Sequence, residues 1–247
     1  MTDRPESYRQ TLARLAGAQK AAARSAPAYS RYVNRRLGRL LAAWAYRAGL
    51  TPDAVTGISA AFTYSGIAVL ALTRPTWWTG VLIGTLLVIG YAFDSADGQV
   101  ARLRGGGTPA GEWLDHVVDA LKVVTLPLAL LVGFARAGVV DTWWLLVPLA
   151  SAIVSSVLFL AMILTEQLRR AAGTASIARD EAGRPSWVRS VLVIPTDYGL
   201  LCLSFLLLGA LPVFQVLYTV VTAATAGFLA LALVKWFREL QELGGRS

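Results

Sequence analysis

Four aspartates, Asp94, Asp97, Asp115 and Asp119, interrupt two stretches of this chain that are otherwise apolar enough to lie in lipid. Charge inside a bilayer is costly and needs a partner. On helices, Asp94 and Asp97 are three residues apart and Asp115 and Asp119 four apart, so each pair projects from one face of its own helix. The glycine-rich turn between them, Arg102 to Gly111, can fold the two helices side by side and bring those faces together. Four carboxylates converging at low dielectric repel one another unless cations sit among them. An all-oxygen cluster suits Mg²⁺ or Mn²⁺, and the number of acids is that of a two-ion site.

The residues around the acids agree with this reading. Gly98 and Ala101 keep the first helix slim, and Gly111 does the same one turn before Asp115. Arg102 stands about two turns after Asp94, where its guanidinium fork can hold a phosphate that the ions also touch. Ions, an arginine and a slim cleft together point to a diphosphate ester. The plainer alternative makes the acids helix-pairing polar groups neutralised by Arg102. It accounts for neither their number nor the small residues beside them.

Composition sets the surroundings of the site. The chain has 247 residues, 55% of them hydrophobic, and a mean hydropathy of +0.55. It is too apolar for a soluble domain and too long for one span, so an all-α polytopic membrane protein is expected. Spans are expected at about 54–73, 80–101, 111–135, 142–165, 191–211 and 213–235, six in all. Trp77, Trp78, Trp143 and Trp144 fall at span ends, as interface anchors do.

Residues 1–50 divide into a polar, basic arm without a signal-peptide core and, from about Tyr29 to Leu50, an amphipathic interfacial helix. The six-span membrane domain covers 51–238, and 239–247 is a short tail. Cys202 sits in an apolar run, which fits a small filler rather than a disulfide or thiolate site.

Of 23 Lys and Arg residues, ten precede residue 50; Arg102 and Arg104 lie in the second connection and Arg169, Arg170, Arg179, Arg184 and Arg189 in the fourth. By the positive-inside rule both termini and the turn between the aspartate pairs face the cytoplasm, in a multi-pass protein of the cell membrane. The net charge of +8 is then met by anionic lipid and not by nucleic acid.

The segment resembles the signature of the CDP-alcohol phosphotransferases, D-x2-D-G-x2-A-R-x8-G-x3-D-x3-D. All eight specified positions are met, by Asp94, Asp97, Gly98, Ala101, Arg102, Gly111, Asp115 and Asp119. The resemblance implies that Asp94, Asp97 and Asp115 hold the ions and that Asp119 both touches one and acts as base. It implies that Gly98, Arg102 and Thr108 line the nucleotide site, together with the upstream segment Asp53, Ala54, Val55 and Thr56, where the family often has Asn in place of Asp53. It also implies a six-helix fold and a homodimer.

The stretch Thr108 to Asp119 is similar to the choline/ethanolamine phosphotransferase branch, S-P-x-G-E-x-x-D-H-x-x-D, which brings in Glu112 and His116 as further candidates for proton transfer. Lys122 can bind an anionic acceptor or offset the acids, and Arg169 and Arg170 can bind a phosphorylated acceptor or anchor the membrane face. Asp197 can bind an acceptor or cap a helix.

The function so implied is transfer of a phosphatidyl group from CDP-diacylglycerol to a polar alcohol, releasing CMP. The rival direction moves the headgroup of a small CDP-alcohol onto a lipid alcohol. A cation transporter or a membrane scaffold is the reading from another class.

Overall fold

The structure, a computed structural model, describes residues 7–18, 29–174 and 197–244. The described residues form helices and no strand. In chain order these are α1 (Tyr8–Ala18), α2 (Arg35–Arg47, entered through a π turn at Ser30–Asn34), α3 (Pro52–Leu72), α4 (Trp77–Leu103) and α5 (Pro109–Ala137). They continue with α6 (Leu146–Ala171, after a 3-10 turn at Thr142–Leu145), α7 (Tyr198–Ser204, prolonged by a 3-10 turn at Phe205–Gly209) and α8 (Leu211–Gly244).

Among the described residues five helices are long and apolar enough to cross a membrane, and Tyr198–Gly209 adds a shorter apolar one. The chain is therefore a multi-pass membrane protein. The expected fifth span is described only from residue 197 on and coincides with α7 from Tyr198, because its first residues, 191–196, lie outside the described residues. So do Arg179, Arg184 and Arg189 of the fourth connection and the last three residues of the expected tail. The rest of that tail, up to Gly244, continues α8.

Helix starts follow from local chemistry. Thr51 and Thr108 cap α3 and α5, accepting from the Ala54 amide at 3.1 Å and the Gly111 amide at 3.0 Å, and each is followed by proline at the first helical position. Thr76 and Thr79 form a reciprocal capping box at the head of α4. The turn from α4 to α5 relies on Gly105 (φ 97°) and Gly106 (φ 137°), backbone that side-chain-bearing residues rarely adopt.

The interfacial helix presents two distinct faces. Tyr32, Leu37, Leu40 and Trp44 are exposed, while Gly38, Ala42 and Ala45 are buried. The small residues let α2 lie close along α4, and the large ones point to where lipid belongs. Helix α1 has no counterpart in the expected arm. It buries Thr11, and its Leu15 joins the cluster that also holds Ala42, Val55, Phe93 and Val100.

Away from the site, Phe134, Trp144, Phe205, Phe214 and Tyr218 form an aromatic core. Trp144 therefore departs from its expected anchoring role. It is 3% exposed, stacked on Phe134 at 5.6 Å, and its Nε1 donates to Thr219 at 3.1 Å. Buried indole with a satisfied N–H packs better than it anchors. Trp77, Trp78 and Trp143 are exposed, as anchors are.

Glycines set the closest helix approaches. A methyl on Gly90 of α4 would meet Thr63 of α3, and one on Gly133 of α5 would run into the carbonyl oxygen of Leu70. That oxygen is backbone and cannot swing away. Gly133→Ala gains about 1 kcal/mol in helix propensity but forces α3 and α5 apart at a cost of roughly 1–3 kcal/mol. We expect a lower melting temperature in detergent. A raised one would mean that the two helices do not meet at Gly133.

Candidate active site

The last three turns of α4 and the first three of α5 bring the aspartates together at one end of the helix bundle. One carboxylate oxygen from each of Asp94, Asp115 and Asp119 lies within 4.8 Å of the others. This donor set, three hard oxygens from two helices, fits a hard divalent cation. Asp97 stands outside that trio and is 7% exposed. Its Oδ2 accepts from the Thr56 hydroxyl at 2.7 Å and its Oδ1 from the Gly98 amide at 2.5 Å. Each carboxylate oxygen keeps a lone pair beyond these bonds, so Asp97 is oriented by its donors without being used up.

Thr56 belongs to the first turns of α3, the upstream segment singled out in the sequence. Of its companions, Asp53 and Ala54 are exposed, whereas the Val55 side chain is fully buried with Phe93 and Val100 and contributes packing. Asp53 approaches the start of α5: a methyl on Gly111 would sit 3.1 Å from Asp53 Oδ1 and 3.3 Å from Thr108 Oγ1. The glycine keeps open the gap between the starts of α3 and α5. Gly98 faces open space, with Arg102 Nη1 the nearest atom to a methyl placed there, at 3.8 Å.

Lys122 is 7% exposed, and its charge is spent inside the cluster. Its Nζ lies 2.5 Å from Asp119 Oδ1, 3.6 Å from Asp94 Oδ1 and 4.8 Å from the centre of the Tyr198 ring. Of the two roles open from sequence, offsetting the acids is the one its contacts match. The other candidate acceptor contacts are also ion-paired. Arg169 meets Glu239 at 2.9 Å, and Arg170 meets Glu112 at 2.6 Å and Glu166 at 3.4 Å. His116 lies between Glu112 (3.8 Å from Nε2) and Asp115 (3.7 Å from Nδ1), with Phe159 edge-on to its ring.

Beside Asp94 a cavity of about 290 Å³ opens between α2 and α4, lined by Asn34, Arg35, Ser95, Gln99 and Arg102 among others. Asn34 is buried, its amide donating to the Tyr91 carbonyl at 3.1 Å and its Oδ1 without a hydrogen-bond partner. Sequence reasoning took α2 for a surface helix and missed Asn34 and Arg35. The signal was the small-residue face of Gly38, Ala42 and Ala45, which marks a helix packed against another. Asp197 caps α7 through the Gly199 amide at 3.0 Å and also accepts from the Tyr29 amide at 2.8 Å, fastening α7 to the start of the interfacial helix.

A family model described as CDP-alcohol phosphatidyltransferase matches residues 49–241. A phosphatidylinositol phosphate synthase from Mycolicibacterium smegmatis is 36% identical over 109 residues, 44% of this chain and 42% of the relative. The chain thus matches less than half the length of the curated relatives it resembles. Two crystal structures of the Mycobacterium tuberculosis phosphatidylinositol phosphate synthase share the fold. The one with manganese and citrate has a TM-score of 0.54 at 24% identity, covering 80% of this chain and 87% of that one. The one with CDP-DAG bound has a TM-score of 0.54 at 22% identity, covering 83% and 94%.

Proposed function

The chain belongs to the CDP-alcohol phosphatidyltransferase family, and from that premise we propose that it transfers a phosphatidyl group from CDP-diacylglycerol to a polar alcohol, releasing CMP. The observation that carries the proposal is the complete eight-position signature, folded so that one carboxylate oxygen from each of Asp94, Asp115 and Asp119 lies within 4.8 Å of the others. Two features of relatives support it: the synthase from M. smegmatis is named for a phosphatidyl product, and the M. tuberculosis enzyme has been crystallised with CDP-DAG and with manganese.

In this reading Asp94, Asp97, Asp115 and Asp119 hold two divalent ions, Mg²⁺ or Mn²⁺. When bound, these neutralise the diphosphate and the charge that develops on departing CMP. The chain's own residues do the rest. Thr56 and the Gly98 amide aim Asp97. Arg102 holds a phosphate oxygen through its guanidinium. Gly98, Thr108 and the exposed start of α3 at Asp53 and Ala54 border the nucleotide. Asp119 takes the proton of the acceptor hydroxyl as that oxygen bonds to the lipid-side phosphorus and the phosphoanhydride bond to CMP breaks. The basic residues before position 50 and at Arg102 and Arg104 support a cytoplasmic opening in the cell membrane, where a soluble acceptor and a lipid donor both have access.

A second reading, headgroup transfer from a small CDP-alcohol to a lipid alcohol, draws on the likeness of Glu112 and His116 to the choline/ethanolamine branch, the two standing 3.8 Å apart with Asp115 3.7 Å from the imidazole. The two are separated by measuring CMP release from purified protein with Mg²⁺ or Mn²⁺. We expect release from CDP-diacylglycerol in the presence of a polar alcohol. Release from small CDP-alcohols alone would move the function to the second reading.

A further inference from the structure

Lys122 does more in this geometry than balance charge. Its ammonium lies among the oxygens proposed to bind metal, 2.5 Å from one on Asp119 and 3.6 Å from one on Asp94, and it is almost sealed from solvent. A surface lysine can swing away from an arriving ion; this one is backed by the Tyr198 ring at 4.8 Å, on a helix that Asp197 fastens to the start of the interfacial helix. A divalent ion at Asp94 and Asp119 therefore meets a fixed positive charge that shares its ligands.

We propose that Lys122 is a tethered cation that competes with divalent metal for Asp94 and Asp119, holding the acidic cluster together without metal and setting a low affinity for it. The inference rests on the metal-binding reading above and adds a positioning residue to it. Two consequences follow from Coulomb's law. Removing the ammonium leaves three neighbouring carboxylates mutually repelled, so the metal-free protein loses stability. It also removes repulsion between a single and a double positive charge a few ångströms apart, so metal binds more tightly. A lysine that merely fills space would produce neither.

The test is Mn²⁺ titration followed by electron paramagnetic resonance on wild-type protein, Lys122→Met, Lys122→Arg and Asp115→Asn in detergent, with melting curves in chelator. Lys122→Met keeps the length of the side chain without its charge. It should bind Mn²⁺ at least about tenfold more tightly than wild type, melt lower in chelator and regain the difference with Mn²⁺. Lys122→Arg should stay close to wild type. Equal or weaker Mn²⁺ binding by Lys122→Met, alongside wild-type binding that Asp115→Asn abolishes, overturns the role of Lys122 and leaves the metal site standing. Absence of binding in wild type overturns both.

Lysine occurs at positions 20, 122 and 235 only, so isotope-labelled lysine in the wild-type protein gives a second test that needs no variant. Mg²⁺ should shift the Lys122 side-chain resonance and leave that of Lys235 in place. An unmoved Lys122 signal at saturating Mg²⁺ overturns the competition.

Discussion

Asp119→Asn is expected to abolish turnover, lowering kcat by on the order of 10⁴-fold, while CDP-donor binding largely persists. The substitution preserves size and one oxygen, but an amide cannot take the proton of an attacking hydroxyl. Folding should survive, because Lys122 keeps Asp94 at 3.6 Å and the amide oxygen still faces the ammonium. Asp94, Asp97 and Asp115 would remain to hold the ions through which the donor's diphosphate is bound. Measuring CMP release beside binding of a labelled CDP donor separates the two effects. Turnover near the wild-type rate would remove Asp119 from the role of base and return Glu112 and His116 to candidacy.

Asp97→Asn should act differently, weakening metal and donor together by about 10–100-fold or more. Asp97 is held from both sides, by the Thr56 hydroxyl at 2.7 Å and the Gly98 amide at 2.5 Å. Both are donors matched to a carboxylate. An asparagine can keep its oxygen toward the Gly98 amide and turn its NH₂ to the Thr56 hydroxyl, which then donates to the Pro52 carbonyl at 3.2 Å, so what the substitution removes is the charge. The expected signature is a raised requirement for Mn²⁺ and for donor in the same variant, read from CMP release across a matrix of concentrations. Unchanged requirements for both would mean that Asp97 serves only to tie α4 to α3 through Thr56.

The site was more legible in the sequence than the walls around it. The aspartates could be placed because they combine helix spacing with an environment that penalises charge, so position and chemistry were constrained together. The family resemblance put Thr56 at the nucleotide site and said nothing of its bond to Asp97, which depends on how α3 crosses α4 and has no local trace. Lys122 was visible as a neighbour of Asp119, but which acids it would meet depended on the approach of α4 to α5.

Elsewhere sequence patterns competed. The arginines and large apolar residues of Tyr29 to Leu50 announced a membrane surface strongly enough to mask the small-residue face that docks α2 on α4. Trp144 carries the same local signal as Trp143, and only the packing of α5 and α8 buries one and exposes the other. The cap at Asp197 could be anticipated from the sequence, whereas its bond to Tyr29 spans 168 positions and has no local trace.

The central claim is that the acids of α4 and α5 form the metal centre of a diphosphate-cleaving enzyme. Its most direct test is anomalous diffraction from crystals grown with Mn²⁺ and a CDP ligand. The account predicts manganese peaks within coordination distance of Asp94, Asp97, Asp115 and Asp119, with the ligand's phosphates against them and Arg102 nearby. Manganese bound elsewhere, or a CDP ligand seated with no metal between its phosphates and these aspartates, would contradict it.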